Sequence, residues 1–172
     1  SAPPATEPRQ LNPAVSVAFL LARRMTVRKT GLYVASQVLG AIAASALLRA
    51  GYPADPTLGA TLPHVGIAAT LGIETVLTFT LVFVILRVAT GSKEQGLMAG
   101  IAIGGTVALA AITFGPACGA SMNPARSIGP ALIANLWTAQ WAYLIAPLTG
   151  SALAVLVWRV LAEPLSSPNE PS

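Results

Sequence analysis

The sequence predicts an all-α membrane protein with about four spanning helices and two short helices that enter the bilayer without crossing it. Only 9% of its 172 residues are charged and 54% are apolar, whereas a soluble domain of this kind carries roughly 25% charged residues. Such a chain has too little polar surface to cover a globule in water, so we expect a lipid bilayer around it. A second observation is the triplet Asn-Pro-Ala, which begins at Asn12 and again at Asn123.

Four apolar runs have about the length that a membrane crossing requires. They cover residues 31–48, 65–86, 96–114 and 139–161, and a spanning helix needs about 20 such residues. The third run carries Gly96, Gly100 and Gly104 at the spacing typical of closely packed helices. We expect the aromatic side chains near the run ends at the membrane interface; they are Trp137, Trp141, Tyr143 and Trp158.

Each Asn-Pro-Ala triplet predicts the start of a half-length helix. Asparagine is a favoured N-cap and proline is tolerated at the first helical position, so one helix runs from Asn12 to about Leu21 and the other from Pro124 towards Leu136. At roughly 10–13 residues these helices are too short to cross and suit re-entrant segments. Most Asn-Pro pairs are simple caps, but the recurrence in apolar surroundings favours six residues as the lining of a passage: Asn12, Pro13, Ala14, Asn123, Pro124 and Ala125.

Two charged residues lie within the apolar part of the chain. Arg126 is the only side chain charged at neutral pH between residues 95 and 158. Intramembrane charges usually mark a transport pathway, although Arg126 can also satisfy loop carbonyls, and both roles are compatible. Glu74 is the only acid inside a spanning run. A proton relay would need a second acid or a histidine beside it, so we interpret Glu74 as a structural buried acid that accepts hydrogen bonds from N–H groups or polar neighbours.

The lysines and arginines predict the orientation of the chain. Residues 23–29, Arg87, Lys93 and Arg159 fall on one side of the membrane if the four runs alternate in direction, and the opposite side has only Arg49 in its loop. Cytoplasmic loops carry the excess of positive charge, so we expect a cytoplasmic C-terminus in the plasma membrane and an external loop at residues 50–63. The two short helices then enter from opposite faces, so we expect Asn12 and Asn123 to meet at mid-membrane, in contact or close to it.

Several classes of function are disfavoured by what the sequence carries. Its basic residues flank the apolar runs instead of forming a face, which argues against nucleic acid as a partner. Cys118 and His64 are single residues of their kinds, so we expect no disulfide, metal site or cofactor. Ser121 has no general base at catalytic spacing. We therefore expect no enzyme, and the lipid bilayer and a small solute as partners.

A longer stretch around the second triplet resembles the aquaporin, or major intrinsic protein, family, and especially its nodulin-type branch and the bacterial relatives of that branch. This stretch reads Gly119-Ala120-Ser121-Met122-Asn123-Pro124-Ala125-Arg126-Ser127. The first triplet matches the other signature loop of the family, and Glu74-Thr75-Val76-Leu77-Thr78 resembles the Glu motif of its fourth helix. The resemblance covers about residues 11–161.

The resemblance implies a right-handed helical bundle with six spanning helices and two half-helices around one pore per subunit, usually in homotetramers. It also implies passive transport of water or of small neutral solutes such as glycerol, urea or metalloid acids. Matching to the family pattern assigns Arg126, Ala120 and Ala111 to the selectivity filter. Strict water channels typically carry histidine at the Ala111 position and glycerol facilitators an aspartate at the Ser127 position, so we expect a permissive pore.

The chain departs from the family pattern at its N-terminus. Two spanning helices should precede the first triplet, so we interpret the chain as an N-terminally truncated member; a frameshift, an alternative start or an incomplete gene record would each produce it. We expect a disordered arm at residues 1–11, a transmembrane domain at 12–161 and a tail at 162–172. The domain comprises a partial first repeat, 12–50, and a complete second repeat, 64–161. The alternative function is a non-conducting fragment that at most associates with full-length subunits.

Overall fold

The computed structural model describes the backbone of residues 10–88 and 93–162 and the side chains of residues 10–88 and 98–161. This part of the chain is helical, without strands. Its six helices are α1 (Pro13–Leu21), α2 (Val27–Gly51), α3 (Ile67–Val88), α4 (Lys93–Cys118), α5 (Pro124–Ala134) and α6 (Ala142–Ala162). Four of them, α2, α3, α4 and α6, are long and apolar enough to cross a membrane. The all-α class with four spanning helices and two half-helices is confirmed.

Side-chain caps set where three of the helices begin. The Asn12 and Asn123 side chains accept hydrogen bonds from the first turns of α1 and α5, and a proline opens each of these helices. Thr26 caps α2 in the same way, through Lys29. This cap starts α2 four residues before the apolar run that predicted it, so Arg28 and Lys29 lie in its first turn.

The two half-helices run from a common point towards opposite ends of α6. Asn12 and Asn123 begin α1 and α5 beside each other, as described below. The Leu21 carbonyl at the far end of α1 accepts a hydrogen bond from Arg159 near the C-terminal end of α6. In contrast, α5 ends at Ala134, and only the short segment before Ala142 separates it from the beginning of α6. The helices therefore enter the bundle from opposite sides.

Two glycines permit the tightest helix contacts in the described chain. A Cβ at Gly150 of α6 would stand 2.4 Å from the Thr75 carbonyl oxygen of α3, and one at Gly129 of α5 would stand 2.6 Å from the Ala41 carbonyl oxygen of α2. The predicted packing role of the α4 glycines is wrong within this chain. Gly100 and Gly104 have no atom within 4 Å of such a Cβ, because they lie on a surface of α4 that no other described element covers; the side chain position of Gly96 lies outside the described residues.

The buried core lies where α1, α3 and α6 meet, around Phe19, Val82 and Val155. Polar residues at the start of the chain join this packed region. Gln10 is 7% exposed, and its carbonyl accepts a hydrogen bond of 2.9 Å from Gln37 Nε2. The packed part thus begins two residues before the predicted start of the transmembrane domain at residue 12. Residues 1–9 of the predicted arm and the predicted tail beyond residue 162 lie outside the described residues.

The aromatic residues predicted at the interface occupy different environments. Trp137 and Trp141 are exposed, but Tyr143 is fully buried, and its hydroxyl donates a 2.7 Å hydrogen bond to the Cys118 carbonyl. The prediction is therefore wrong for Tyr143, because this phenol connects α6 to the end of α4. Trp158 is partly buried, and the Arg24 guanidinium lies 5.0 Å from its ring centre.

Candidate functional site

The two Asn-Pro-Ala triplets meet through a reciprocal pair of hydrogen bonds. Asn12 Nδ2 donates to the Met122 carbonyl at 2.8 Å, and Asn123 Nδ2 donates to the Leu11 carbonyl at 3.1 Å. Each asparagine thus binds the residue that precedes the other asparagine. This symmetry joins the two half-helices N-terminus to N-terminus.

The remaining hydrogen-bonding groups of each asparagine side chain have distinct uses. Asn12 Oδ1 accepts from Ala14 N, and Asn123 Oδ1 accepts from the backbone N–H groups of Ala125 and Arg126. An amide nitrogen carries two protons, and only one of them has a partner at each asparagine among the described residues. The second N–H of each is therefore available to an oxygen atom that passes between the helix ends.

Electrostatics at the meeting point favour neutral or anionic groups over cations. The N-terminus of a helix carries a partial positive charge of roughly half an elementary charge, and both half-helices direct that end to the same place. The guanidinium of Arg126 adds a full charge in the first turn of α5. A cation that approached would meet repulsion from all three, whereas a neutral hydroxyl or water oxygen can accept hydrogen bonds.

Two cavities meet at the asparagines. One, of about 490 Å³, lies between α1, α3 and α4, and the other, of about 530 Å³, lies between α2, α5 and the loop at Gly59. Leu11 and Asn123 line both of them. The hydrogen bond from Asn123 to the Leu11 carbonyl therefore lies at the boundary between the two cavities. Pro13, Ala14, Pro124 and Ala125 are buried beside it as the first residues of the two half-helices.

The buried carboxylate of Glu74 holds the turn that leads into the second triplet. Glu74 is fully buried on α3; it accepts hydrogen bonds from Ser121 N at 2.7 Å and Met122 N at 2.8 Å, and the Cys118 thiol lies 3.4 Å from it. Ala120 and Met122 have φ angles of 41° and 52°, in the left-handed region that side chains other than glycine disfavour. The carboxylate compensates for this strain and thereby places the Met122 carbonyl that Asn12 binds.

The three residues assigned to the filter occupy different positions. Arg126 is exposed on α5, and its Nη1 donates a 3.3 Å hydrogen bond to the Gly59 carbonyl of the loop between α2 and α3. Ala120 is only 5% exposed and packs in the core. Ala111 is exposed on α4, one turn after Val107, and Val107 lines the cavity that contains Asn12. The structure brings Arg126 to the loop, whereas Ala111 lies one helical turn beyond the α4 residue that lines the cavity.

Several residues around Arg126 were not identified from the sequence as parts of the site. They are Gln37, Gly59, Thr61 and Gln140, of which all except Gly59 are at least nine-tenths buried. The family pattern singled out Ser127, which is also buried, but only as the position where glycerol facilitators carry aspartate. The others lie far from the triplets along the chain, and a glutamine or threonine in an apolar region is the only indication that they offer.

Comparison with known proteins identifies the family. The profile of the major intrinsic protein family matches residues 9–158. The chain is 44% identical over 152 residues to Aquaporin NIP1-4 of Oryza sativa subsp. japonica, covering 88% of this chain and 56% of the relative. It is 40% identical over 163 residues to Nodulin-26 of Glycine max, with 92% and 60% covered. The chain therefore spans a little more than half the length of these relatives.

A solved structure shares the fold. The aquaglyceroporin from Plasmodium falciparum superposes with a TM-score of 0.79 at 22% sequence identity, and the match covers 91% of this chain and 74% of that one. At this identity the similarity concerns the arrangement of the helices alone. With its four apolar helices, its paired triplets and its profile match over most of its length, the chain is an integral membrane protein that belongs to the major intrinsic protein family.

Proposed function

We propose that the chain forms a large part of a passive membrane channel for water and small neutral solutes. The observation that carries the proposal is the reciprocal contact of Asn12 and Asn123, which leaves a free N–H on each side chain at the junction of two cavities. The relatives are named aquaporins, and the related solved structure is an aquaglyceroporin.

Conduction in this proposal exchanges hydrogen bonds without any covalent step. A solute oxygen accepts from Asn12 and Asn123 in succession or together, which replaces part of its hydration shell. Ions are excluded because the helix ends and Arg126 repel cations and because the apolar walls supply few groups to replace an ion's water; half-helix dipoles and an arginine are the general basis of exclusion in aquaporin-type pores. No residue is required to transfer a proton or to form a covalent bond, so we expect no enzymatic activity.

The selectivity that we propose is permissive. Alanine at position 111, where strict water channels typically carry histidine, supplies neither bulk nor a polar group, so we expect a wider and more apolar opening there. Ser127, which directly follows Arg126, is neutral. Glycerol, urea and metalloid acids are therefore included among the solutes, and Arg126, Ala120 and Ala111 are the filter residues in this proposal.

The proposal also includes the oligomeric state, the membrane and the orientation of the channel. We infer a homotetramer in the plasma membrane, with the C-terminus in the cytoplasm and the 50–63 loop outside. The basic residues support this orientation, since Arg23, Arg24 and Arg159 lie together where α1 ends beside α6.

A specific observation favours the alternative that this chain alone does not conduct. The spanning windows of α2 and α4 are only 6% buried, and Leu11, next to the first triplet, is 85% exposed. Helices α2 and α4 each line one of the two cavities, so with so little of them covered the described residues do not seal these cavities from lipid. We therefore expect the chain as given to conduct poorly or to leak, and a conducting form to require further helices or a neighbouring subunit over α2 and α4.

Osmotic swelling of proteoliposomes distinguishes the channel proposal from the non-conducting alternative. We would compare the chain alone with a chimera that places the N-terminal helices of the rice relative, as the family pattern predicts them before the first triplet, in front of residue 9. The channel proposal expects water and glycerol fluxes from the chimera well above those of protein-free vesicles. A well-folded chimera without flux would overturn it, and binding of the chain to full-length subunits in the same vesicles would then support the alternative.

A further inference from the structure

The loop between α2 and α3 is fixed to the second triplet by one threonine. Thr61 is fully buried, and its hydroxyl donates a 2.8 Å hydrogen bond to Ser127 Oγ. Its carbonyl accepts a 2.9 Å bond from Gln140 Nε2. One loop residue thus contacts α5 through its side chain and the segment before α6 through its backbone.

The hydroxyl of Thr61 begins a directed chain of hydrogen bonds that ends at Asn123. Ser121 Oγ lies 2.6 Å from Ser127 Oγ and donates to the Asn123 carbonyl at 3.0 Å. A hydroxyl has one proton to donate, so Ser121 uses its own on that carbonyl and must accept from Ser127. Ser127 then accepts from Thr61, and every proton in the chain has one acceptor.

Thr61 is also closely packed against Gly119, in the segment between α4 and α5. Gly119 has a φ of 83°, and a Cβ there would lie 3.1 to 3.2 Å from atoms of Thr61. His64 N and Val65 N both donate to the Ala117 carbonyl, at 3.0 and 3.2 Å. The loop is therefore docked along the segment that joins α4 to α5.

Two residues before Thr61, the same loop supplies the partner of Arg126. The Gly59 carbonyl accepts from Arg126 Nη1 at 3.3 Å, and this is the one hydrogen bond of the guanidinium within the described residues. Gly59 itself is exposed and has a φ of 72°. As a glycine it has no side chain that could hold it in place. Its place depends on two buried neighbours. Leu58 is buried through an apolar side chain, whereas Thr61 is the one with hydrogen bonds to α5 and to the segment before α6.

We propose that Thr61 is a positioning residue for Arg126: by binding Ser127 and Gln140 it holds the Gly59 carbonyl against the guanidinium and so sets the solute selectivity of the opening. The proposal about selectivity rests on the proposed channel function, whereas the positioning of Arg126 can be measured without any flux.

The test compares Thr61→Val with Thr61→Ser in the purified chain in liposomes. Valine keeps the shape and removes the donor, whereas serine keeps the donor. Thr80→Val is a matched control, because the exposed Thr80 hydroxyl bonds only within its own helix, to Val76. The readout is the rate at which 2,3-butanedione modifies Arg126, measured by peptide mass spectrometry and normalised to Arg23 in the same sample.

We expect Thr61→Val to raise the modification rate of Arg126 by about 2- to 12-fold, which corresponds to the net contribution of one hydrogen bond to a docking equilibrium. Thr61→Ser and Thr80→Val should leave the rate unchanged. Ser127→Ala removes the acceptor from the other side and should act like Thr61→Val, which keeps the test valid if valine disturbs folding. An unchanged rate in both variants, or an equal rise in Thr61→Ser, would overturn the role of the hydroxyl.

Selectivity is the second readout. In the conducting preparation, chain or chimera, Thr61→Val should change the ratio of glycerol to water permeability, and Thr61→Ser should restore it. An unchanged ratio together with faster modification of Arg126 would overturn the selectivity part of the proposal. Absence of flux from the unsubstituted protein would count against the channel function instead, and the modification rates would still decide whether Thr61 positions Arg126.

Discussion

Substitution of Gly150 by alanine tests the closest helix contact among the described residues. The new Cβ would lie 2.4 Å from the Thr75 carbonyl oxygen, 2.9 Å from Phe79 N and 3.1 Å from Thr78 Cβ. Two of these three atoms belong to the backbone of α3 and cannot rotate away, so the helices must separate. Overpacking typically costs about 1–3 kcal/mol, and the severity of this overlap favours the upper end. The gain in helix propensity, about 1 kcal/mol, offsets part of it, which leaves a net loss of about 2 kcal/mol.

Gly100→Ala is the matched control for that substitution. Gly100 is also inside a spanning helix, but nothing lies within 4 Å of its added Cβ, so only the propensity gain of about 1 kcal/mol remains. Thermal unfolding in detergent should therefore show a midpoint about 4 to 8 °C lower for Gly150→Ala and about 2 to 4 °C higher for Gly100→Ala. Equal midpoints for the two variants would refute the assignment of Gly150 to the α3–α6 contact.

The remaining predictions concern the buried acid, the filter and the topology. Glu74→Gln should lower the thermal midpoint and reduce flux in the chimera, because an amide presents an NH₂ group to one of the two backbone N–H donors and leaves it unpaired, at about 1–3 kcal/mol; unchanged stability would contradict the role of the carboxylate. Ala111→His in the chimera should reduce glycerol flux much more than water flux, and equal losses would show that Ala111 does not face the pore. An impermeant maleimide added from outside should label a cysteine introduced at Ala54 but not one introduced at Arg28. The buried Cys118 should stay unlabelled. Labelling of both new cysteines from one side would exclude the topology.

The sequence predicted the helices well because their physical causes are local. Composition and the length of apolar runs identify spanning segments without knowledge of their partners. The ends were less accurate, since a polar cap such as Thr26 extends α2 beyond its apolar run. The C-terminal end of α4 also differs from the prediction. The helix continues past residue 114, through Pro116 in its last turn, to Cys118.

The contacts between helices could not be predicted with the same success, because they depend on which faces meet. The spacing of Gly96, Gly100 and Gly104 marks a smooth helix face but contains no information on what covers it. Gly150 lies in a row of small residues at the same spacing, with Ala146 and Ala154, and here the row is covered by α3 and makes the closest approach among the described helices. A helical glycine therefore indicates a possible contact, and the fold decides which glycines are used.

In the candidate site, too, the sequence predicts individual residues better than the contacts between them. Both triplets, Arg126 and Glu74 stand out in the sequence because polar groups are rare in apolar surroundings. The exchange of hydrogen bonds between the triplets, and the docking of Thr61 on Ser127, join residues 66 to 112 positions apart. Entry of the two half-helices from opposite faces predicts that the asparagines meet, and the structure confirms it. The exact hydrogen-bond partners and the docking of Thr61 leave no signal in a single sequence.

The central claim is that solute passes the paired asparagines and accepts hydrogen bonds from them. Asn123→Asp tests it most directly, because aspartate still caps α5 through its side-chain oxygen but can no longer donate to the Leu11 carbonyl or to a solute. Asn135→Asp, at the exposed C-terminal end of α5, is the control for the same chemical change.

The measurement is the water permeability of proteoliposomes that contain the chimera, by stopped-flow light scattering, together with their leakage of Na⁺. We predict that Asn123→Asp loses most of the water flux and admits cations, because a carboxylate replaces a donor at the helix ends. Asn135→Asp should retain both the water flux and the exclusion of Na⁺. Equal water flux in Asn123→Asp and the unsubstituted chimera would contradict the claim that the solute passes there.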